Sequence, residues 1–114
     1  RPLVSVELIQ KCFHLAEENG NCIPCVLPKD SLRELANDDS KTADRNNFRL
    51  IQTPQCFRTE ILLHAYEQNF DLSFTDDATV VEKSGEKIFL TEGEDNNIKI
   101  TTPTDMQVAT ALFQ

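Results

Sequence analysis

Glycine is scarce in this chain. Three occur among 114 residues, at Gly20, Gly85 and Gly93, and they form no cluster. A nucleotide-binding α/β domain opens with a strand, a glycine-rich loop and a helix, because glycines let backbone N–H groups approach phosphate. No such loop can be read here, so the chain alone shows no cradle for a nucleoside triphosphate. Cations are also few, 11 Lys and Arg against 19 Asp and Glu, for a net charge of −8. That balance argues against general nucleic-acid binding, which draws most of its affinity from Lys and Arg on phosphates. One small phosphorylated ligand, held by two or three local cations, stays compatible with it. No apolar run approaches the length of about 20 residues that spans a bilayer, and no apolar h-region follows Arg1-Pro2, so neither membrane nor signal peptide is expected. A first residue other than Met suggests a processed chain or a piece of a longer one.

What is present is ordinary for a globular protein: 39% hydrophobic and 26% charged residues, enough for one domain. Four cysteines include Cys22-Ile23-Pro24-Cys25, a C-x-x-C. Zinc would need a second pair at matching spacing, which Cys12 and Cys56 do not supply, so no metal ligand is assigned. A thioredoxin-like pair should open a helix, whereas residues 22–28 read as extended. Small core residues of a reduced, cytoplasmic protein is the better reading. The acidic runs Asp38-Asp39 and Glu92-Gly93-Glu94-Asp95 read as solvated turns.

Ser5 caps a first helix, with Val6, Ile9, Phe13 and Ala16 as its apolar stripe and Gly20 as its end. Asn21 to Pro28 is extended. Ser31 to Leu35 alternates, turns at Asn37 to Ser40, and returns through Arg45 to Ile51. This β-hairpin is so poor in large apolar residues that it should reach outward. A second helix starts near Arg58 with Ile61, Leu62, Ala65 and Tyr66 buried, and a third runs from Ala78 to Lys83. Strands are expected over Lys87–Thr91 and Asn97–Thr101, then a last helix to Phe113. Helices between strands make the class α/β with an inserted antiparallel hairpin.

The end of the chain carries the sharpest signal. In a strand over residues 97–101, Ile98 and Ile100 share one face and Lys99 takes the other, at the carboxyl end. Thr102 reads as an N-cap, Pro103 as the first helical residue and Asp105 as the acid of a capping box. Ligands of open α/β sheets bind beyond the strand carboxyl ends, so Lys99 is placed to meet a phosphate. Read singly, Lys99 could be a snorkelling strand lysine. Arg45 beside Asp44 could be a surface ion pair worth under about 1 kcal/mol, and Thr53 a residue held extended by Pro54. Asp76 and Asp77 read as helix-capping acids, not a metal pair. His14 and His64 have no Cys or His at ligand spacing and receive no role.

Several segments share an order and spacing across the chain. They include Arg1-Pro2, Lys29-Asp30-Ser31, Asp44-Arg45, Gln52-Thr53-Pro54-Gln55-Cys56-Phe57, Phe74-Thr75-Asp76-Asp77-Ala78, Val81-Glu82, Glu92-Gly93, and Asn97 to Asp105. In these the chain resembles the C-terminal half of 2-C-methyl-D-erythritol 4-phosphate cytidylyltransferases, enzymes of non-mevalonate isoprenoid synthesis. The resemblance implies part of a Rossmann-like nucleotidyltransferase sheet over residues 1–114, with a β-hairpin dimerisation arm at about 29–52. It implies cytidylyl transfer from CTP to the methylerythritol phosphate with release of pyrophosphate. By motif, Lys99 would stabilise the transferring phosphate, and Arg1, Arg45, Thr53 and Ser31 would hold the substrate. Ser31 stands where the family has Thr, keeping the hydroxyl without the β-branch. The arm would carry Ser31 and Arg45 into the other subunit's site, so the unit would be a homodimer. The family's CTP loop and its Mg²⁺-binding Asp lie before the position of Arg1. The chain by itself is therefore expected to be inactive. Ribitol-5-phosphate cytidylyltransferases share two of the motifs, and residues 75–82 favour the methylerythritol branch. A non-catalytic dimerisation module is the rival from another class.

Overall fold

The computed structural model describes residues 1–113 and is of mixed α/β architecture. Helix α1, Val6–Asn19, begins where the Ser5 hydroxyl accepts from the Leu8 N–H at 3.0 Å. It ends where Gly20 adopts φ 93°, a left-handed conformation that costs glycine no Cβ clash, and its N–H reaches the Ala16 carbonyl at 2.8 Å. The buried stripe is Leu8, Cys12 and Ala16. The expected stripe is corrected in part, since Val6 and Phe13 are 64% and 62% exposed. Both sets of positions fit a period of 3.6 residues, and the sheet lies against Leu8, Cys12 and Ala16.

Strand β1, Asn21–Val26, is the axis of the sheet and buried over its first five residues. Two short strands pair with it antiparallel: β4, Leu50–Ile51, opposite Cys25 and Val26, and β5, Cys56–Phe57, opposite Asn21 and Cys22. Strand β6, Leu90–Glu92, pairs with it in parallel. Pro24 sits in this central strand without an N–H to donate. Its carbonyl accepts from Gln52 N at 2.8 Å, which places the missing donor where the neighbour changes from β4 to β5.

Between β1 and β4 the chain makes a separate two-stranded sheet, β2 (Leu32–Ala36) and β3 (Asp39–Ala43), turning at Asn37 with φ 57°. Nearly all of it is exposed, as its polar faces require. The hairpin proper is shorter than the expected arm. Past Ala43 come a 3₁₀ turn, Arg45–Asn47, and then β4, which belongs to the main sheet.

Helices α2, Thr59–Ala65, and α3, Asp77–Lys83, form a second core in which Ala65, Val80 and Val81 meet Phe57, Ile61, Leu62, Phe74 and Ile88. Tyr66, expected buried, is 54% exposed and its hydroxyl donates to Asp77 Oδ1. A phenol at the helix end satisfies its O–H at the surface more readily than among aliphatics.

Helix α4, Pro103–Leu112, carries the expected capping box, with Asp105 N donating to Thr102 Oγ1 at 3.2 Å and Thr102 N to Asp105 Oδ2 at 2.9 Å. The strand expected over residues 97–101 is absent, and the one expected over 87–91 is reduced to β6. Residues 98–101 have strand-like alternation, but a strand exists only beside a partner ladder, and none of the described residues supplies one. All four cysteines are free and buried. Cys12, Cys22 and Cys56 share the core beneath α1. Among the described residues no helix is long and apolar enough to cross a membrane.

Candidate active site

Arg1 and Lys99, from opposite ends of the chain, line one recess of about 400 Å³. Leu27, Lys29, Asp30, Ile51, Asp95 and Asn97 contribute to its walls. Arg1 is half-buried, and its guanidinium donates to the carbonyls of Asn97 and Ile51, the latter at 3.3 Å. One side chain thereby ties the chain start to β4 and to the segment before Lys99. Part-burial pulls its pKa down from the ordinary value, yet a guanidinium stays charged near neutrality. Lys99 is exposed and has neither a hydrogen bond nor an ion pair among the described residues. An ammonium on a short extended segment, uncommitted to any carboxylate, is free to meet an anion.

Thr53 joins this group through its backbone. Its carbonyl accepts from Asn97 Nδ2 at 2.7 Å, while its side chain is exposed beside the cis peptide bond to Pro54. The other two residues singled out from sequence, Ser31 and Arg45, do not line this recess. Ser31 is exposed at the root of the hairpin. Arg45 donates to the Lys29 carbonyl and lines a larger open groove, about 1150 Å³, with Arg49, Leu3, Ser5 and the 92–96 loop. Of the two hollows the smaller is the better site, because Arg1, Gln52, Asn97 and Lys99 converge there.

Three residues in this region carry no role in the sequence reading. Lys29 lines both hollows and pairs with Asp95 at 3.5 Å. Gln52 and Asn97 are buried, 6% and 0% exposed, and bonded to each other. Both lie inside the quoted motifs, so their position was visible, but a buried amide looks the same in sequence as an exposed one.

Among the described residues no three His, Cys, Asp or Glu side chains gather as a metal site. The cysteines offer no thiolate. Burial raises the pKa of all four, that of Cys12 up to about 12, with the Cys22 sulfur adding to the effect.

The sequence pattern of 2-C-methyl-D-erythritol 4-phosphate cytidylyltransferases matches residues 1–114. Proteins of that name from Bacteroides thetaiotaomicron and Bacteroides fragilis are 46% and 47% identical over 113 residues. Each alignment takes 99% of this chain and 52% of the relative, so the chain spans about half the length of the curated relatives it matches. Among solved structures, the cytidylyltransferase of Thermus thermophilus superposes with a TM-score of 0.86 at 34% identity, over 98% of this chain and 57% of that one. The 4-diphosphocytidyl-2C-methyl-D-erythritol synthase of Anaerococcus prevotii gives 0.85 at 33% identity, over 97% and 52%. With sequence agreement along its whole length and the same fold, the chain belongs to the 2-C-methyl-D-erythritol 4-phosphate cytidylyltransferase family.

Proposed function

We propose that the protein carrying this chain transfers a cytidylyl group from CTP to 2-C-methyl-D-erythritol 4-phosphate and releases pyrophosphate. The observation that carries this reading is the convergence of Arg1 and Lys99 on one recess, with Thr53 held beside them through Asn97. In such a reaction the substrate phosphate attacks the α-phosphate of CTP, and negative charge is spread over the transferring phosphoryl oxygens. No covalent protein intermediate is needed; fixed cations and hydroxyl donors do the work.

Each residue then has a task. Lys99, unpaired and exposed, faces the transferring phosphate. Arg1, held by two carbonyls, presents its remaining N–H groups to the substrate phosphate. Thr53 offers its hydroxyl to the same substrate. Ser31 and Arg45 serve the site of a second copy, the hairpin being the bridge of a symmetric homodimer. The exposure of the hairpin supports that assignment. Mg²⁺ supplies charge neutralisation at the triphosphate when bound. Its ligand in this reading is the Asp that the family carries before the position of Arg1. Four free, buried thiols are in keeping with a reducing compartment, the cytoplasm.

The test is pyrophosphate release by the polypeptide extended to the length of its relatives, with CTP and either methylerythritol phosphate or ribitol phosphate. Release with the first that falls by about 100-fold or more in Lys99→Ala supports both substrate and lysine. Turnover of ribitol phosphate alone points to the sister enzyme. Silence with both leaves a binding module.

A further inference from the structure

Lys99 lies on a segment that no described strand supports, so something other than a ladder must set its direction. A buried pair of amides does so. Asn97 Nδ2 donates to the Thr53 carbonyl at 2.7 Å and to Gln52 Oε1 at 3.2 Å. A carbonyl only accepts, so the orientation of the Asn97 amide is settled by its partner. Its backbone N–H donates to the Glu94 carbonyl at 3.0 Å, and its own carbonyl accepts from Arg1. Gln52 completes the frame. Its Nε2 donates to the Glu94 carbonyl at 2.8 Å, its Oε1 accepts from Glu94 N at 3.2 Å, and its backbone N–H donates to Pro24 on the central strand at 2.8 Å.

We propose that the Asn97–Gln52 amide pair is the positioning device of the recess, fixing Arg1, Thr53 and Lys99 relative to the sugar phosphate. The inference rests on the function proposed above and deepens it. Asn97 reaches three site residues at once: Arg1 through its carbonyl, Thr53 through its amide, and Lys99 two residues along the backbone. Gln52 ties all of this to β1, the most buried strand of the sheet. Asn97 touches no reacting atom in this scheme; it acts through the residues that do. Its Oδ1 is buried without a partner among the described residues, leaving one acceptor for a further donor at the same junction.

The experiment compares Asn97→Ala, Asn97→Asp and Val81→Ala in the polypeptide extended to the length of its relatives. Kinetic constants for methylerythritol phosphate and for CTP are measured separately, together with thermal midpoints. Val81 is fully buried in the second core, away from the recess, and reports simple loss of stability. Asn97→Ala is expected to raise KM for the sugar phosphate about 10-fold or more and to lower kcat, with KM for CTP changed less than about 2-fold. Val81→Ala should lower the midpoint and leave both KM values in place. Asn97→Asp keeps the shape but turns both donors into acceptors, so it should show the same KM shift even if the alanine variant fails to fold. Sugar-phosphate KM values in both Asn97 variants no higher than in Val81→Ala would overturn the assignment. A wild-type protein that does not turn over methylerythritol phosphate instead overturns the functional reading, and the positioning role falls with it.

Discussion

Gly93→Ala tests whether the frame behind the recess is as rigid as its hydrogen bonds imply. A Cβ built on Gly93 would lie 2.3 Å from Gln52 Oε1, 3.1 Å from Gln52 Cδ and 3.2 Å from the Cys25 carbonyl oxygen. The first distance is far inside van der Waals contact, so something has to move. Cys25 O belongs to β1 and accepts from Gly93 N at 2.8 Å, so the backbone on that side is pinned. Gln52 is the only group that could swing away, and doing so breaks its side-chain bonds to the Glu94 carbonyl, Glu94 N and Asn97 Nδ2. Three hydrogen bonds, one buried and two part-buried, at about 1 kcal/mol each, or overpacking at about 1–3 kcal/mol if the backbone yields instead, set the loss at about 1–3 kcal/mol. That is a large share of the roughly 5–15 kcal/mol a domain possesses. The chain has no tryptophan, so urea denaturation followed by far-ultraviolet circular dichroism is the assay. A double-mutant cycle isolates the cause. In a Gln52→Ala background the clash is gone, and Gly93→Ala should cost only about 1 kcal/mol or less, a coupling of about 2 kcal/mol. Additive effects, or a single-mutant loss below about 0.5 kcal/mol, would refute the reasoning. Gly85→Ala is the contrast: nothing lies within 4 Å of its Cβ, but φ is 105°. Only backbone strain of about 1–2 kcal/mol is expected there, independent of Gln52.

Lys99→Ala removes an exposed ammonium without a partner, so the denaturation midpoint should stay within about 0.5 kcal/mol of wild type while turnover is lost. Asp76→Ala should cost about 1–2 kcal/mol, because Asp76 caps α3 through Thr79 N at 2.8 Å and holds Gln55 at 3.0 Å, measured by the same denaturation. For the pH profile, Asp76, Asp71 and Asp105 all have native pKa values below the usual 3.8. In Asp76 burial pushes upward, but hydrogen bonds from Thr79 and Gln55 outweigh it. Ser73 amide and hydroxyl donors lower Asp71, and Thr101 and Thr102 donors lower Asp105. Depressed carboxylates bind protons more readily in the unfolded chain, so their stabilisation is complete above about pH 4 and fades as pH falls below it. Asp76→Asn should flatten that acid slope. The four thiols, buried and raised in pKa, should resist a thiol reagent at about pH 8 in the folded protein and all react in denaturant; rapid labelling of the native state would contradict the core reading.

Sequence alone determined the features whose causes are local. A serine hydroxyl within reach of an N–H three residues on, a glycine free to turn left-handed, and a proline followed two residues later by Asp105 are enough to bound α1 and α4. The polar hairpin and the burial of the cysteines were legible for the same reason, since each follows from what its side chains can bury. The ordered motifs also pointed to the family, because residues such as Gln52, Thr53, Asn97 and Lys99 hold their spacing along the chain. Tertiary structure decided everything that depends on a neighbour. Two stripes on α1 fit the helical period, and only the position of β1 chose Leu8, Cys12 and Ala16 over Val6 and Phe13. Residues 98–101 alternate like a strand, yet a ladder needs a second chain segment at hydrogen-bonding distance. The meeting of Arg1 with Asn97, 96 positions away, and the burial of two amides between them could come only from the folded chain, because contact across that separation is a property of packing and not of any local pattern.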